Sequence, residues 1–242
     1  MVAMTWSIIA RDGSGRLGVA VASKFFSVGS LCAHTRRGVG AVATQALMNP
    51  LYGPGGLDRM AAGLTAEQAI AELVGPDAGR DQRQVHMLPA KGAAAAHTGS
   101  SCVDWCGHVV HEDFSVAGNM LAGPAVIAAT AEAFLATSGQ PLAERLLAAM
   151  VAGEAAGGDK RGKQSACLRI HGDEDYAELD LRVDDHTDPL VELQRIYQVS
   201  LERFQPFVSC LAGRHSPSGL IHRPDIEATI ARFHAERAGS GS

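Results

Sequence analysis

Thr5 follows Met4 and opens the stretch "TWSIIARDG". With Met4 as the initiator and then removed, Thr5 would carry a hydroxyl and a free α-amine on one residue. A hydroxyl is a poor nucleophile at neutral pH until a base takes its proton. An α-amine, with a pKa near ~7.7–8.0, can be that base for its own side chain. Threonine is also a common strand residue, and taken alone the segment favours that structural role. A second candidate is "AGEAAGGDKRGKQSACLRI", where a glycine-ended helix passes through Asp159, Lys160 and Arg161 into a buried strand beginning at Gln164. Glycines there are ordinary capping. An Asp-x-Arg-Gly-x-Gln turn also brings charge to the edge of a covered sheet, although a solvated turn explains it as well.

In "SVAGNMLAG", Asn119 stands between a strand end and a helix start. Amide donors at such a place can stabilise an oxyanion. Asparagine equally suits left-handed turn geometry with no further role. The segment "CVDWCGH" offers two cysteines and a histidine but no second cluster at zinc-site spacing, so a pair of buried thiols is the simpler reading and no metal is expected. There is no G-x-S-x-G elbow, P-loop or H-E-x-x-H pattern. "GSGRLG" is a hairpin turn and not a dinucleotide fingerprint, because no helix follows it.

The elements that position these residues follow from pattern. Thr5–Ala10 and Leu17–Ser23 flank the turn-rich "RDGSGR" as a hairpin. Both strands, and "VGAVATQA", are apolar on both faces, which means cover on both sides. Leu57, Met60, Ala61 and Leu64 recur at helical spacing. Thr65 with Gln68 forms a capping box ahead of an Ile70, Leu73, Val74 stripe. Strands are expected around Arg83–Leu88 and Ala93–Thr98, and over "FSVAGN", ending in a polar turn. Helices follow at "GPAVIAATAEAFLAT", with Pro124 in its first turn, and at "PLAERLLAAMVAGEAA". "QSACLRI" and "ELDLRV" are strands, the second with one wet face. From about Asp188 the chain reads as helical, with a loose "AGSGS" end. Strands and helices segregate in runs, which is α+β. No repeat or linker divides the chain, so one domain over 1–242 is expected.

The 242 residues are 46% hydrophobic and 19% charged, with a net charge of -5. This is a globular composition with no basic footprint for nucleic acid. Five cysteines at scattered spacing do not make a disulfide framework and fit a reducing compartment. No signal peptide or membrane-spanning run is present, so cytoplasm is the expected location.

Taken together, "TWSIIARD", "LGVAVASKFFSVG", "GVGAVATQALMNPLYGPGGLDRMAAG", "FSVAGNMLAG", "GGDKRGKQSA" and "DLRVDDH" resemble successive signatures of the bacterial domain-of-unknown-function 1028 family, from Thr5 to about Arg195. That family is placed among the N-terminal nucleophile (Ntn) hydrolases. The resemblance implies a four-layer αββα sandwich with two stacked, mainly antiparallel sheets, and a helical extension over about 196–242.

By similarity to proteasome β subunits, Thr5 takes the nucleophile's place, and Ser23 or Lys24 that of a supporting polar group. Asp159, with Arg161 and Gly162, resembles the aspartate turn that holds the threonine. Asn119 lies near the turn that contacts the terminal amine. Gln45 is assigned to substrate or oxyanion contact. The tail Met1–Met4 and the lack of the proteasome-type lysine, with only His34 or Arg36 nearby, depart from that pattern.

The function so implied is an amidohydrolase that cleaves a small amide or related C–N bond through Thr5. Asp159, Asn119 and Ser23 support the reaction. Lys24, Gln45 and Arg161 contact a small-molecule substrate, the two cations through its carboxylate. Backbone amides near Gln45 or Gly55 are further oxyanion donors. No cofactor, metal, nucleic acid or membrane partner is expected, and a homodimer is. The alternative is a binding or scaffold protein that keeps the fold without the chemistry. A metal-assisted hydrolase built on the cysteine–histidine segment is a remote third reading.

Overall fold

The structure, a computed structural model, describes residues 5–240. The tail Met1–Met4 and the last two residues of the expected loose end lie outside them. The fold is mixed α/β, with ten strands in two antiparallel sheets and eight α-helices among the described residues.

In chain order the elements of the first part are β1 (Thr5–Arg11), β2 (Leu17–Ser23), α1 (Gly29–Cys32), β3 (Ala33–Arg36), β4 (Gly40–Ala46), α2 (Tyr52–Ala61), α3 (Ala66–Val74), β5 (Arg83–Pro89), β6 (Ala95–Thr98), β7 (Trp105–Val110) and β8 (Phe114–Leu121). There follow α4 (Pro124–Ala136), α5 (Leu142–Ala155), β9 (Ser165–His171), β10 (Leu179–Val183), α6 (Pro189–Glu202), α7 (Phe204–Val208) and α8 (Arg223–Ser240). One sheet has the order β10-β9-β2-β1-β8-β7 and the other β3-β4-β5-β6.

β1 and β2 form the expected hairpin, in register from Thr5↔Ser23 to Arg11↔Leu17. Asp12 sets its turn. The Oδ1 atom accepts from the backbone nitrogens of Ser14 at 2.9 Å and Arg16 at 3.1 Å, the side-chain mimic of a backbone turn. Side chains on β1 alternate between two covered faces. Trp6 turns toward α5 and the turn after it, beside Gly153 and Gly158. Ile9 turns toward the second sheet. It joins Leu17, Val19 and Val21 in a core with Ala41, Ala43 and Leu88. A second core lies on the other face of that sheet, where Val42, Val85 and Met87 pack on Tyr52, Leu57, Met60 and Ile70 of α2 and α3. α4 and α5 pack against β1, β2, β7 and β8. Both sheets are therefore covered on both faces, as the doubly apolar strands require.

Three expectations are corrected. "FSVAGN" does not end in a polar turn: β8 runs on to Leu121, because Asn119 pairs with Thr5 in the ladder and its side-chain nitrogen is bonded between the sheets, with Met120 at φ 53°. β3 and β7 were not read as strands; both are short or mixed-polarity edge strands whose pairing comes from a neighbour. At the C-terminus, α8 continues through Ala238–Ser240, where a loose end was expected.

Contacts divide the chain into two compact units, one up to Leu193 and one from Gln194, the boundary falling inside α6. In the second unit Arg203 grips Glu227 with two nitrogens at 3.1 and 2.7 Å. Among the described residues no helix is long and apolar enough to cross a membrane.

Candidate functional site around Thr5

Thr5 begins the central strand of the larger sheet. Its neighbours across the ladder are Ser23 on one side and Asn119 on the other. A threonine at this point has no freedom of position, because two antiparallel partners fix its backbone. Its hydroxyl donates to Ser23 Oγ at 3.2 Å. Its carbonyl oxygen accepts from Gln45 Nε2 and Asn119 Nδ2, both at 3.3 Å. Thr5 and Gln45 are fully buried, and Ser23 and Asn119 nearly so. The Thr5 hydroxyl hydrogen-bonds no acid, histidine or lysine side chain among the described residues.

Asp159 ties the surrounding strand ends together. Its Oδ2 accepts from the backbone nitrogen of Lys24, next to Ser23, at 2.7 Å. Its Oδ1 accepts from the backbone nitrogen of Arg161 at 2.9 Å. Its backbone bridges Leu121, two residues past Asn119. Gly162, at φ +109°, closes the turn by donating to Asp159 O at 2.9 Å, a conformation that favours glycine. Asp159 thus ties down the ends of both strands that flank β1, β2 through its carboxylate and β8 through its backbone. The Arg161 guanidinium folds back on the same carboxylate at 3.3 Å, and Lys24 Nζ donates to Lys163 O at 3.1 Å. Both cations already have partners within the protein.

Ser23, Asn119 and Gln45, singled out from the sequence with Thr5, therefore each touch Thr5. Asp159, Lys24 and Arg161 form a brace one residue further out. A cavity of about 110 Å³ beside the brace is lined by Trp6, Ser23, Glu154, Asp159 and Lys163. The larger cavity, about 770 Å³, lies at the opposite end of β1, among Ser14, Arg16, Arg37 and Lys91. Gly55 sits in α2 against Leu73 and Arg59 and presents nothing to Thr5.

The sequence reading missed a buried polar row between the sheets. Ser7 Oγ donates to Gln45 Oε1 at 2.7 Å and lies 2.9 Å from His86 Nε2. His86 Nδ1 lies 3.1 Å from Ser115 Oγ. Gln84 Oε1 accepts from Gln45 Nε2 at 2.7 Å and from Asn119 Nδ2 at 3.2 Å. Burial pushes the His86 imidazole down to about 3, with a small push from His108, so it is neutral. Burial pushes the Cys32 thiol, 3.8 Å from Gln45 Oε1, up to about 12. The signal was present as a period of two: Thr5 and Ser7, Gln84 and His86, Ser115 and Asn119 each lie on one face of a strand.

Cys102 and Cys106 are half-buried and not the buried pair expected. Cys106 Sγ lies 3.7 Å from Cys102 O. Among the described residues no three His, Cys, Asp or Glu side chains gather to hold a metal.

Fold and site together define a mixed α/β protein of two antiparallel sheets, with a threonine-centred polar cluster at one end of the central strand. The chain belongs to the DUF1028 family, a family of unknown function whose model matches residues 5–193 and so begins at Thr5. It is similar to a Silicibacter pomeroyi protein of the same family known from its crystal structure. The two are 29% identical with a TM-score of 0.83, over 90% of this chain and 100% of that one. It also has a distant likeness to Anbu, an ancestral β-subunit, from Yersinia bercovieri. There the identity is 11% and the TM-score 0.43, over 81% of this chain and 94% of that one. No curated protein matches the sequence.

Proposed function

We propose that the protein is an N-terminal nucleophile amidohydrolase, with the two sheets and their helices as a four-layer αββα sandwich of that class, and with Thr5 as the attacking residue. The observation that carries the proposal is the convergence of Ser23, Asn119 and Gln45 on Thr5 at the start of the central strand. The absence of a side-chain base at the Thr5 hydroxyl among the described residues fits a mechanism in which the base is Thr5's own α-amine. The active chain must then begin at Thr5.

The hydroxyl oxygen attacks the carbonyl carbon of a small amide, and its proton passes to the α-amine. The tetrahedral oxyanion collapses with cleavage of the C–N bond, and the amine takes the proton as it leaves. Water then hydrolyses the resulting threonine ester, restoring the hydroxyl and releasing the acid. Ser23 orients the hydroxyl. Gln45 and Asn119 hold the Thr5 carbonyl, and Asp159 fixes the strand ends. A substrate carboxylate meeting Arg161 must compete with Asp159 for it.

One observation favours a second reading. Thr5 is fully buried, which suits a protein that keeps the fold for binding and does no chemistry. Intact mass and N-terminal sequencing of protein expressed from Met1 and from Met4 separate the two. The enzyme reading expects a chain beginning at Thr5 in at least the second case, and turnover in a screen of small amides that Thr5→Ala abolishes. A threonine that remains blocked in both preparations, with no turnover, overturns it.

A further inference from the structure

The oxygen and nitrogen ends of a side-chain amide are told apart by their partners. At Gln84 the partners decide. Its Nε2 faces Thr98 Oγ1 at 2.8 Å, Gly118 O at 2.9 Å and Gly107 O at 3.1 Å. Two of these are backbone carbonyls, which only accept, so the nitrogen must be on that side. Oε1 is thereby turned toward Gln45 and Asn119, and only donors fit against it. Asn119 Nδ2 answers it at 3.2 Å and answers Thr5 O, another pure acceptor, at 3.3 Å. Two fixed acceptors thus hold the Asn119 nitrogen inward. Its oxygen is left turned the other way. Asn119 is 1% exposed, and its Oδ1 has no hydrogen-bond partner among the described residues. A buried acceptor without a partner is costly and rare, and it asks for a function.

We infer that Gln84 is a positioning residue that locks the Asn119 amide with its carbonyl oxygen presented as an acceptor for an N–H donor, the donor being the α-ammonium of Thr5. The identity of the donor rests on the amidohydrolase reading above; the lock on Asn119 does not. The lock reaches back through Gln45, which donates to the same Gln84 oxygen and receives from Ser7. The orientation of the amide beside Thr5 is therefore set from between the two sheets, by residues that are fully buried.

The sequence makes this testable, because it contains only two asparagines, Asn49 and Asn119. Full-length protein labelled with ¹⁵N-asparagine gives two side-chain amide pairs, and Asn49→Ser assigns them. In the wild type the Asn119 hydrogens should exchange with water at least tenfold more slowly than those of Asn49, whose contact with Asp77 is long, at 3.4 Å. They should also show a nuclear Overhauser contact to the Gln84 side chain. In Gln84→Met the Asn119 pair should exchange at least tenfold faster, with Asn49 unchanged as a control for general loosening. An Asn119 pair that is unaffected in folded Gln84→Met overturns the inference. Should Gln84→Met not fold, the wild-type contact decides alone, and its absence overturns the lock. In protein that begins at Thr5, the Asn119 ¹⁵N shift should follow pH through the α-amine range. A flat titration, with the exchange results as expected, overturns the donor and the free-amine reading while leaving the lock intact.

Discussion

Thr5 and Asp159 make opposite demands on a mutagenesis experiment. Thr5→Ala removes one hydroxyl whose partner is Ser23. Amide turnover should vanish while circular dichroism and Tm stay close to wild type, and Thr5→Ser should retain measurable turnover because the nucleophile and amine remain. Asp159→Ala instead removes the acceptor for two backbone nitrogens, those of Lys24 and Arg161. Hydrogen bonds to a charged acceptor contribute about 1.5–3 kcal/mol each, and backbone groups left unpaired add to the loss. Asp159→Ala should therefore lower the unfolding free energy by about 3–6 kcal/mol in a urea titration. If stability is unchanged, the carboxylate does not brace the end of β2 and the turn at Arg161.

At the scale of elements, the fit between α4, α5 and β1 depends on a residue that leaves a space. Gly153 lies in α5, where replacement of glycine by alanine ordinarily gains up to about 1 kcal/mol of helix stability. Here a Cβ would sit 2.2 Å from Thr130 Oγ1 and 2.9 Å from Trp6 Nε1. Thr130 is fully buried and donates to Val126 O at 2.7 Å, so it has nowhere to go. Overpacking of this kind costs about 1–3 kcal/mol, enough to reverse the sign. Gly153→Ala should lower Tm by several degrees, and a raised Tm would show that the α4–α5 contact gives way easily. Thr65→Ala should cost about 1 kcal/mol, since both halves of the α3 capping box are made.

These two positions also show what could be read before the structure. The capping box is a local rule, complete within four residues, and was legible. So were the hairpin, α4 and α5, whose turn chemistry and apolar periods are local. The clash at Gly153 was invisible because its partners are 23 and 147 residues away in sequence. β3 and β7 were missed for the same reason, since an edge strand is defined by its neighbour. Around Thr5, the structure places Ser23, Asn119 and Gln45, the residues matched by resemblance, within hydrogen-bond reach. Ser7, Gln84, His86 and Ser115 were not, because a polar residue on a doubly covered strand reads as noise until the facing sheet supplies its partner.

For the molecule as a whole, that buried polar row sets a dependence on acid. His86 bridges the two sheets, fully buried and neutral, with its imidazole held down to about 3. In the unfolded chain it returns to about 6.5. Between those values the unfolded state binds a proton that the folded state does not, so stability falls as pH falls. Above about 6.5 both states are neutral at this residue and the contribution is flat. One such proton gives a slope of at most about 1.4 kcal/mol per pH unit. His34, His108 and His171 are also lowered by burial and tilt the curve the same way, so the test is a difference between proteins. His86→Gln retains a polar group that can face Ser7 but carries no proton to titrate. Unfolding free energies measured by urea from pH 7 to pH 4 should fall less steeply in His86→Gln than in wild type, with the two curves converging toward acid. Parallel curves would mean that the sheets tolerate a charged imidazole between them, and that the row from Ser7 to Ser115 is open to water.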